Sequence, residues 1–202
     1  MTLAIAIVTA AAWLIASALG LQDLAVIWGG FIPARVGGVV GDEMLAPVFL
    51  TPLTATVVHA GIIHLGFNLL IHLFCGRATE TIIGGRGLLI LYIVGAYAAA
   101  AAQFFANPED MRPMVGASGA ISAVLGTYAI LFGRNRVNVA NLALARWLNA
   151  LWLAAAWIGL QILVGFTFET AGAPLAIAAH IGGFLAGLVL AKPLLLLRYR
   201  GA

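Results

Sequence analysis

Ser118 and His180 are the two residues of this chain whose types could do chemistry together. Ser118 lies in Gly116-Ala117-Ser118-Gly119, at the head of an otherwise apolar run. A serine hydroxyl is a poor nucleophile and needs a base beside it. The chain has four histidines, His59, His64, His72 and His180, all in apolar surroundings. An ionisable side chain is costly there and by default points to a function. The competing reading is packing, because small residues in membrane helices let neighbours approach and isolated polar ones hydrogen-bond across helices.

Spacing sorts the histidines. His64 and Asn68 are four residues apart, one above the other on a single helical face. On the same helix His59 would lie about 140° around from His64, and His72 about 12 Å further inward. Interhelical hydrogen bonding suits those two. His180 stands at the top of a stripe with Gly183 and Gly187, a small-xxx-small pattern that favours close packing. Gly119, Ala123 and Gly126 form a matching small face after Ser118. Docking the two stripes would bring His180 against Ser118, about two turns below the outer surface.

The elements that must hold these residues are membrane helices. The 202-residue chain is 63% hydrophobic and only 8% charged, with a mean hydropathy of +1.09, which is the composition of a polytopic membrane protein. A formal net charge of +3, carried by dispersed basic residues, gives no patch for nucleic acid. Cys75 is the only cysteine, so there is no intrachain disulfide and no cysteine-rich metal site; no metal or other cofactor is expected. Long uncharged windows each supply the roughly 20 apolar residues that a spanning helix needs. The expected fold is all-α, a six-transmembrane-helix bundle forming one domain over 1–202, with spans near 3–21, 52–74, 87–105, 115–133, 147–168 and 174–196.

The first window lacks a basic leading region and a clear cleavage site before Asp23, and it reads as a helix rather than a signal peptide. Residues 22–51 are too rich in Gly and Pro to span. Trp28, Phe31, Ile32, Phe49 and Leu50 predict that this segment lies in the membrane interface against the bundle. Residues 76–87 read as a compact inner turn, with Glu80 tying an element end.

Loop charges orient the bundle. Arg77, Arg86, Arg134, Arg136, Arg146, Lys192, Arg198 and Arg200 fall on one side with both termini, and Arg35 and Arg112 on the other. The positive-inside rule makes the first side cytoplasmic. Asp23, Asp42, Glu43, Glu109, Asp110 and Glu169 fall outside, and Glu80 inside. The second, fourth and sixth helices then all start from the outer face and carry His64/Asn68, Ser118 and His180 to one outer-leaflet zone. None of the three contains Asp or Glu, so the chemistry would be that of a serine–histidine dyad with His180 as general base. Ser118 opens its helix, where backbone N–H groups lack intrahelical partners and the dipole is positive. Those groups, with His64 and Asn68, would form an oxyanion hole. The motif is not the Gly-x-Ser-x-Gly elbow of soluble hydrolases, because Ala120 stands at the second glycine.

Gly116-Ala-Ser118-Gly119, His64-x-x-x-Asn68 and Ala179-His180-x-x-Gly183-x-x-x-Gly187, in order on helices two, four and six, resemble the rhomboid intramembrane serine proteases. The resemblance runs from the loop before helix two to the end of helix six. It implies Ser118 as nucleophile, His180 as base, His64 and Asn68 in the oxyanion hole, and His59 as a structural histidine near the site. It further implies a single-pass transmembrane protein as substrate, cut near its outer end beside a small residue, and a mobile fifth helix or the loop before helix six as the gate. Two features depart from some members. Phe49-Leu50-Thr51-Pro52 stands where a Trp-Arg pair would be, and Ser122 replaces a tyrosine one turn after the serine. The chain reads as a minimal six-helix form in the lipid bilayer of a bacterial plasma (inner) membrane, with both termini cytoplasmic; its oligomeric state is not legible. The alternative is a catalytically silent rhomboid-like binder of membrane proteins, which would be expected to lack the serine or the histidine. A proton-relaying transporter would need polar groups across the whole membrane, and the inner halves hold only His72.

Overall fold

The computed structural model describes residues 1–38, 45–132, 141, 144, 145, 147, 148, 151–159 and 176–200. Its helices are α1 (Thr2–Ala18), α2 (Gln22–Gly29), α3 (Pro33–Val36), α4 (Thr51–Thr54, between 3-10 turns at Val48–Leu50 and Ala55–Val57), α5 (Ile62–Ala106), α6 (Ser118–Phe132), α7 (residues 151–159) and α8 (Ile177–Arg198). The one pairing in extended geometry among the described residues is an isolated bridge between Phe31 and Met114.

The 45-residue α5 is a hairpin of two rods. Its only non-helical residue is Gly84, at φ 75° and ψ 165°, a conformation that glycine adopts without the cost a Cβ would bring. The rings of His72 and Tyr92 are 5.6 Å apart, whereas 20 residues of straight helix would separate them by about 30 Å. The chain therefore descends through 62–83 and returns through 85–106. The inner turn expected over 76–87 shrinks to one glycine, because its flanking residues remain helical. Glu80 anchors α1 there, accepting hydrogen bonds from the Thr2 backbone N–H (2.8 Å) and hydroxyl (2.7 Å). His72 is likewise engaged between helices, its Nε2 3.2 Å from the Thr2 carbonyl.

The descending rod starts at Ile62, not near Pro52. Thr51–Val57 coils separately, and Val58 then turns extended, at φ −94° and ψ 131°. His59 consequently sits on the break instead of on the helix. The 140° offset expected from a continuous helix does not apply, and the His59 and His64 rings meet with centroids 5.0 Å apart.

At the centre stands α6, with every residue from Ser118 to Thr127 buried, as expected of a helix surrounded on all sides. It packs against both α5 and α8, and small residues set the approach. A Cβ added at Gly183 would strike the Gly119 carbonyl, one at Gly187 the Ala123 carbonyl, and one at Gly126 the Phe184 carbonyl. Thr127 donates to the Gly187 carbonyl at 2.8 Å. The docking of the Gly183/Gly187 stripe on the small face of α6 is thus observed in detail.

The outside is apolar. Leu70, Phe74, Leu185 and Val189 are all well exposed, a surface suited to lipid and not to water. Among the described residues, α5 and α8 are long and apolar enough to cross a membrane. Within residues 22–51, Phe31 and Ile32 are buried against the bundle while Trp28 and Phe49 face outward. Arg35 is buried and donates to the Ala46 carbonyl at 2.8 Å. The expectations for Asp42, Glu43, Arg134, Arg136, Arg146 and Glu169, for the later part of the fifth span and for the segment leading into the sixth all lie outside the described residues.

Gly126→Ala should lower the detergent melting midpoint, since overpacking a tight contact costs about 1–3 kcal/mol. Gly66→Ala, where a Cβ meets nothing within 4 Å, should leave it unchanged or raise it. Thermal denaturation of the two purified variants checks both.

Candidate active site

The strap leading into α6 is pinned on three sides. Phe31 and Met114 exchange backbone hydrogen bonds at 2.9 and 2.8 Å, and the Gly116 N–H donates to the Ala55 carbonyl at 2.9 Å. The Ala117 N–H points at His59 Nε2, a long contact of 3.4 Å. Gly116 has φ 111°, and a Cβ there would stand 2.6 Å from His64 Cε1. Glycine is required here for conformation and for space. The strap delivers Ser118 as the first residue of α6.

His180 lies in the first turn of α8, a helix that begins at Ile177. Its Nε2 is 2.8 Å from Ser118 Oγ, and both side chains are buried, His180 at 4% and Ser118 at 8% exposure. With the serine hydroxyl as donor, Nε2 is the acceptor and Nδ1 carries the proton; this tautomer is assigned from the hydrogen bond. His180 Nδ1 is buried with no hydrogen-bond partner among the described residues. Among the described residues no carboxylate orients the ring there.

The pair opens on a cavity of about 420 Å³ lined by His64, Ser118, His180 and the strap residues. Polar groups on its rim include Gln103, Asn107, Asp110 and Arg112. Asp110 accepts from Arg112 Nε at 2.8 Å and Nη2 at 2.9 Å, and this guanidinium holds its carboxyl below the usual carboxylate range.

The predicted site residues do not all converge. His64 faces the cavity, but Asn68 is not among its lining residues. Asn68 is buried, and its Nδ2 donates to the His64 carbonyl at 2.9 Å along the helix. Gly119 approaches Ala99, with 2.6 Å between an added Cβ and the alanine methyl, so it admits the returning rod of α5. The first-turn N–H groups of α6 lack intrahelical acceptors and lie at its positive end. A hydroxyl held on an imidazole at the floor of such a cavity can be deprotonated as it attacks, and nearby N–H groups can take up the negative charge that develops.

Trp157 and its contacts were not anticipated. The Trp157 Nε1–H donates to Ser122 Oγ at 2.7 Å, and the Ser122 hydroxyl donates to the Ser118 carbonyl at 2.7 Å. The indole also packs edge-on to His180, centroids 6.3 Å apart at 72°. In sequence it stands among alanines like any lipid-facing tryptophan, and only its indole N–H, which requires an acceptor when buried, hints at a partner.

The described residues form a helical bundle with an apolar exterior and a serine–histidine contact at a buried cavity, the architecture of a helical membrane protein. The family model described as Rhomboid domain matches residues 48–197. Rhomboid-related protein 2 of Mus musculus is 30% identical over 133 residues, 65% of this chain and 43% of that protein. The rhomboid protease GluP of Bacillus subtilis (strain 168) is 32% identical over 142 residues, 70% of this chain and 25% of GluP. The rhomboid protease GlpG of Haemophilus influenzae is 30% identical over 137 residues, 68% of this chain and 65% of GlpG. The chain belongs to the rhomboid family, whose members are embedded in membranes. It matches less than half the length of the first two of these relatives.

Gly116→Ala should destabilise the protein by about 1–3 kcal/mol, the cost of holding a non-glycine residue at a positive φ. A lowered melting midpoint in detergent is the expected result, larger than that of alanine placed at Gly66.

Proposed function

We propose that this protein is an intramembrane serine endopeptidase acting on single-pass transmembrane proteins near the outer side of the membrane. The observation that carries this reading is the 2.8 Å contact between Ser118 Oγ and His180 Nε2 at the floor of the cavity. In the proposed mechanism Oγ attacks the scissile carbonyl carbon while its proton passes to Nε2. The oxyanion is met by the first-turn N–H groups of α6 and by His64, with Asn68 contributing through a rotated amide or by holding His64 in place. His180 then protonates the leaving amine, and the scissile C–N bond breaks to give an acyl-enzyme on Ser118. Water deprotonated by His180 hydrolyses that ester and restores the pair. The polar rim at Gln103, Asn107, Asp110 and Arg112 supports a supply of water on the outer side. His59 acts structurally, by holding Ala117.

The same reading includes six spans in one domain over 1–202: α1, the two rods of α5, α6, α7 and α8. The two 22-residue rods of α5, 62–83 and 85–106, would each extend about 33 Å, enough to cross the hydrocarbon core. Loop charge favours cytoplasmic termini in a bacterial plasma membrane. The chemistry uses no cofactor or metal. Protease relatives of about 30% identity support the activity.

Purified protein should cleave a model single-pass substrate in detergent, and Ser118→Ala and His180→Ala should each lower the rate at least about a thousandfold. His64→Ala should lower kcat roughly a hundredfold or more, the effect of losing one oxyanion donor. Cleavage that persists in Ser118→Ala would defeat the reading. A wild-type protein that binds transmembrane segments without cutting them would be a silent binder instead.

A further inference from the structure

We propose that Trp157 is a positioning residue for His180, held in that role by Ser122. This rests on the assignment of Ser118 and His180 as the reacting pair. Among the described residues the imidazole has one hydrogen bond, at Nε2, and its Nδ1 is buried without a partner. A ring tethered at one nitrogen can turn about its side-chain torsions and carry Nε2 off the serine hydroxyl. In a triad, a carboxylate at the other nitrogen prevents this.

Here the restraint comes from the Trp157 indole, set edge-on to the imidazole at 6.3 Å and 72°. The indole is fixed by its own polar end. Its N–H donates to Ser122 Oγ, and that hydroxyl donates to the Ser118 carbonyl, both at 2.7 Å. The contacts close a loop from the Ser118 carbonyl through Ser122, Trp157 and His180 back to Ser118 Oγ. The position of the base is thereby referenced to the residue it must deprotonate. Ser122 has 0%, His180 4% and Trp157 5% exposure, so water does not compete for these bonds.

A second observation explains why a restraint is needed. Beyond His180 lies a separate, almost wholly apolar cavity of about 230 Å³ between α7 and α8, bordered by Trp157, Ala154, Phe184 and Leu188. Apart from His180 itself, the described residues that line it offer no polar side chain but the tryptophan indoles, so an imidazole turned toward it would lose its hydrogen bond without gaining another. A ring free to turn would spend time off its serine, and small misalignments of reacting groups cost rate steeply.

The test compares wild type with Trp157→Phe, Ser122→Ala and the double variant. Each is assayed in detergent for the rate of Ser118 modification by a fluorophosphonate and for kcat and KM on a single-pass substrate. Rates are expressed per fluorophosphonate-titrated site, so that a partly unfolded variant does not count as a slow one. Each single substitution should lower kcat and the labelling rate by roughly tenfold through lost alignment, with KM nearly unchanged. The double variant should be no slower than the slower single, because both break one chain of contacts. Wild-type rates per titrated site in both single variants, or multiplicative losses in the double, would overturn the proposal while leaving the dyad intact. A wild-type protein whose Ser118 is neither labelled nor needed for cleavage would overturn the dyad assignment, and this proposal with it.

Discussion

The close approach of α6 to α8 is the constraint on which the rest of this molecule depends. Gly183 and Gly187 lie so near the Gly119 and Ala123 carbonyls that no side chain fits between them. In a bilayer, burial of apolar surface gives helices little reason to associate, and van der Waals fit with interhelical hydrogen bonds must do it. The glycine contact provides the fit, and the Thr127 bond to the Gly187 carbonyl adds the polar part. His180 stands one turn above this contact, so the separation of the two backbones sets the distance from imidazole to serine. The returning rod of α5 seats against α6 in the same way, at Gly95 and Gly119. One central helix of small residues thereby fixes both its neighbours.

A polar site in apolar surroundings must satisfy its own backbone. The strap before Ser118 does so through Phe31, Ala55 and His59, which explains why non-helical chain is tolerated beside the helices. The break at 58–61 performs a similar service, freeing His59 from the helix so that it can face the strap. His59 and Arg35, each buried, are engaged with backbone groups, as buried polar side chains must be.

Much of the architecture was legible because membrane helices announce themselves by apolar length, and because helical periodicity states which residues share a face. The Gly183/Gly187 stripe and its partner face on α6 could be paired on paper for that reason. The membership in the rhomboid family was legible in the same motifs and is carried by the family match over residues 48–197. Other features were not legible. A continuous helix from Pro52 was a fair extrapolation of apolar composition, yet the chain breaks at Val58, and propensity carries no signal for an interruption that tertiary hydrogen bonds stabilise. The single-glycine reversal at Gly84 was hidden by the polar residues around it, which look like loop in sequence but continue the helix.

The sequence by itself determined which side chains share a face wherever the helix runs unbroken, as for Ser118 with Gly126 and His180 with Gly187, since this follows from periodicity. It therefore determined that Ser118 and His180 could meet. Only the tertiary structure decided what surrounds them: that Asn68 turns its amide to the His64 carbonyl, that Gly116 makes room for His64, and that Trp157 reaches Ser122 across from α7. The reason is physical. A shared face is a property of one helix, but the rotation of each helix about its axis is set by side-chain contacts between helices far apart in the chain. Helical periodicity does not encode which tryptophan will find which serine.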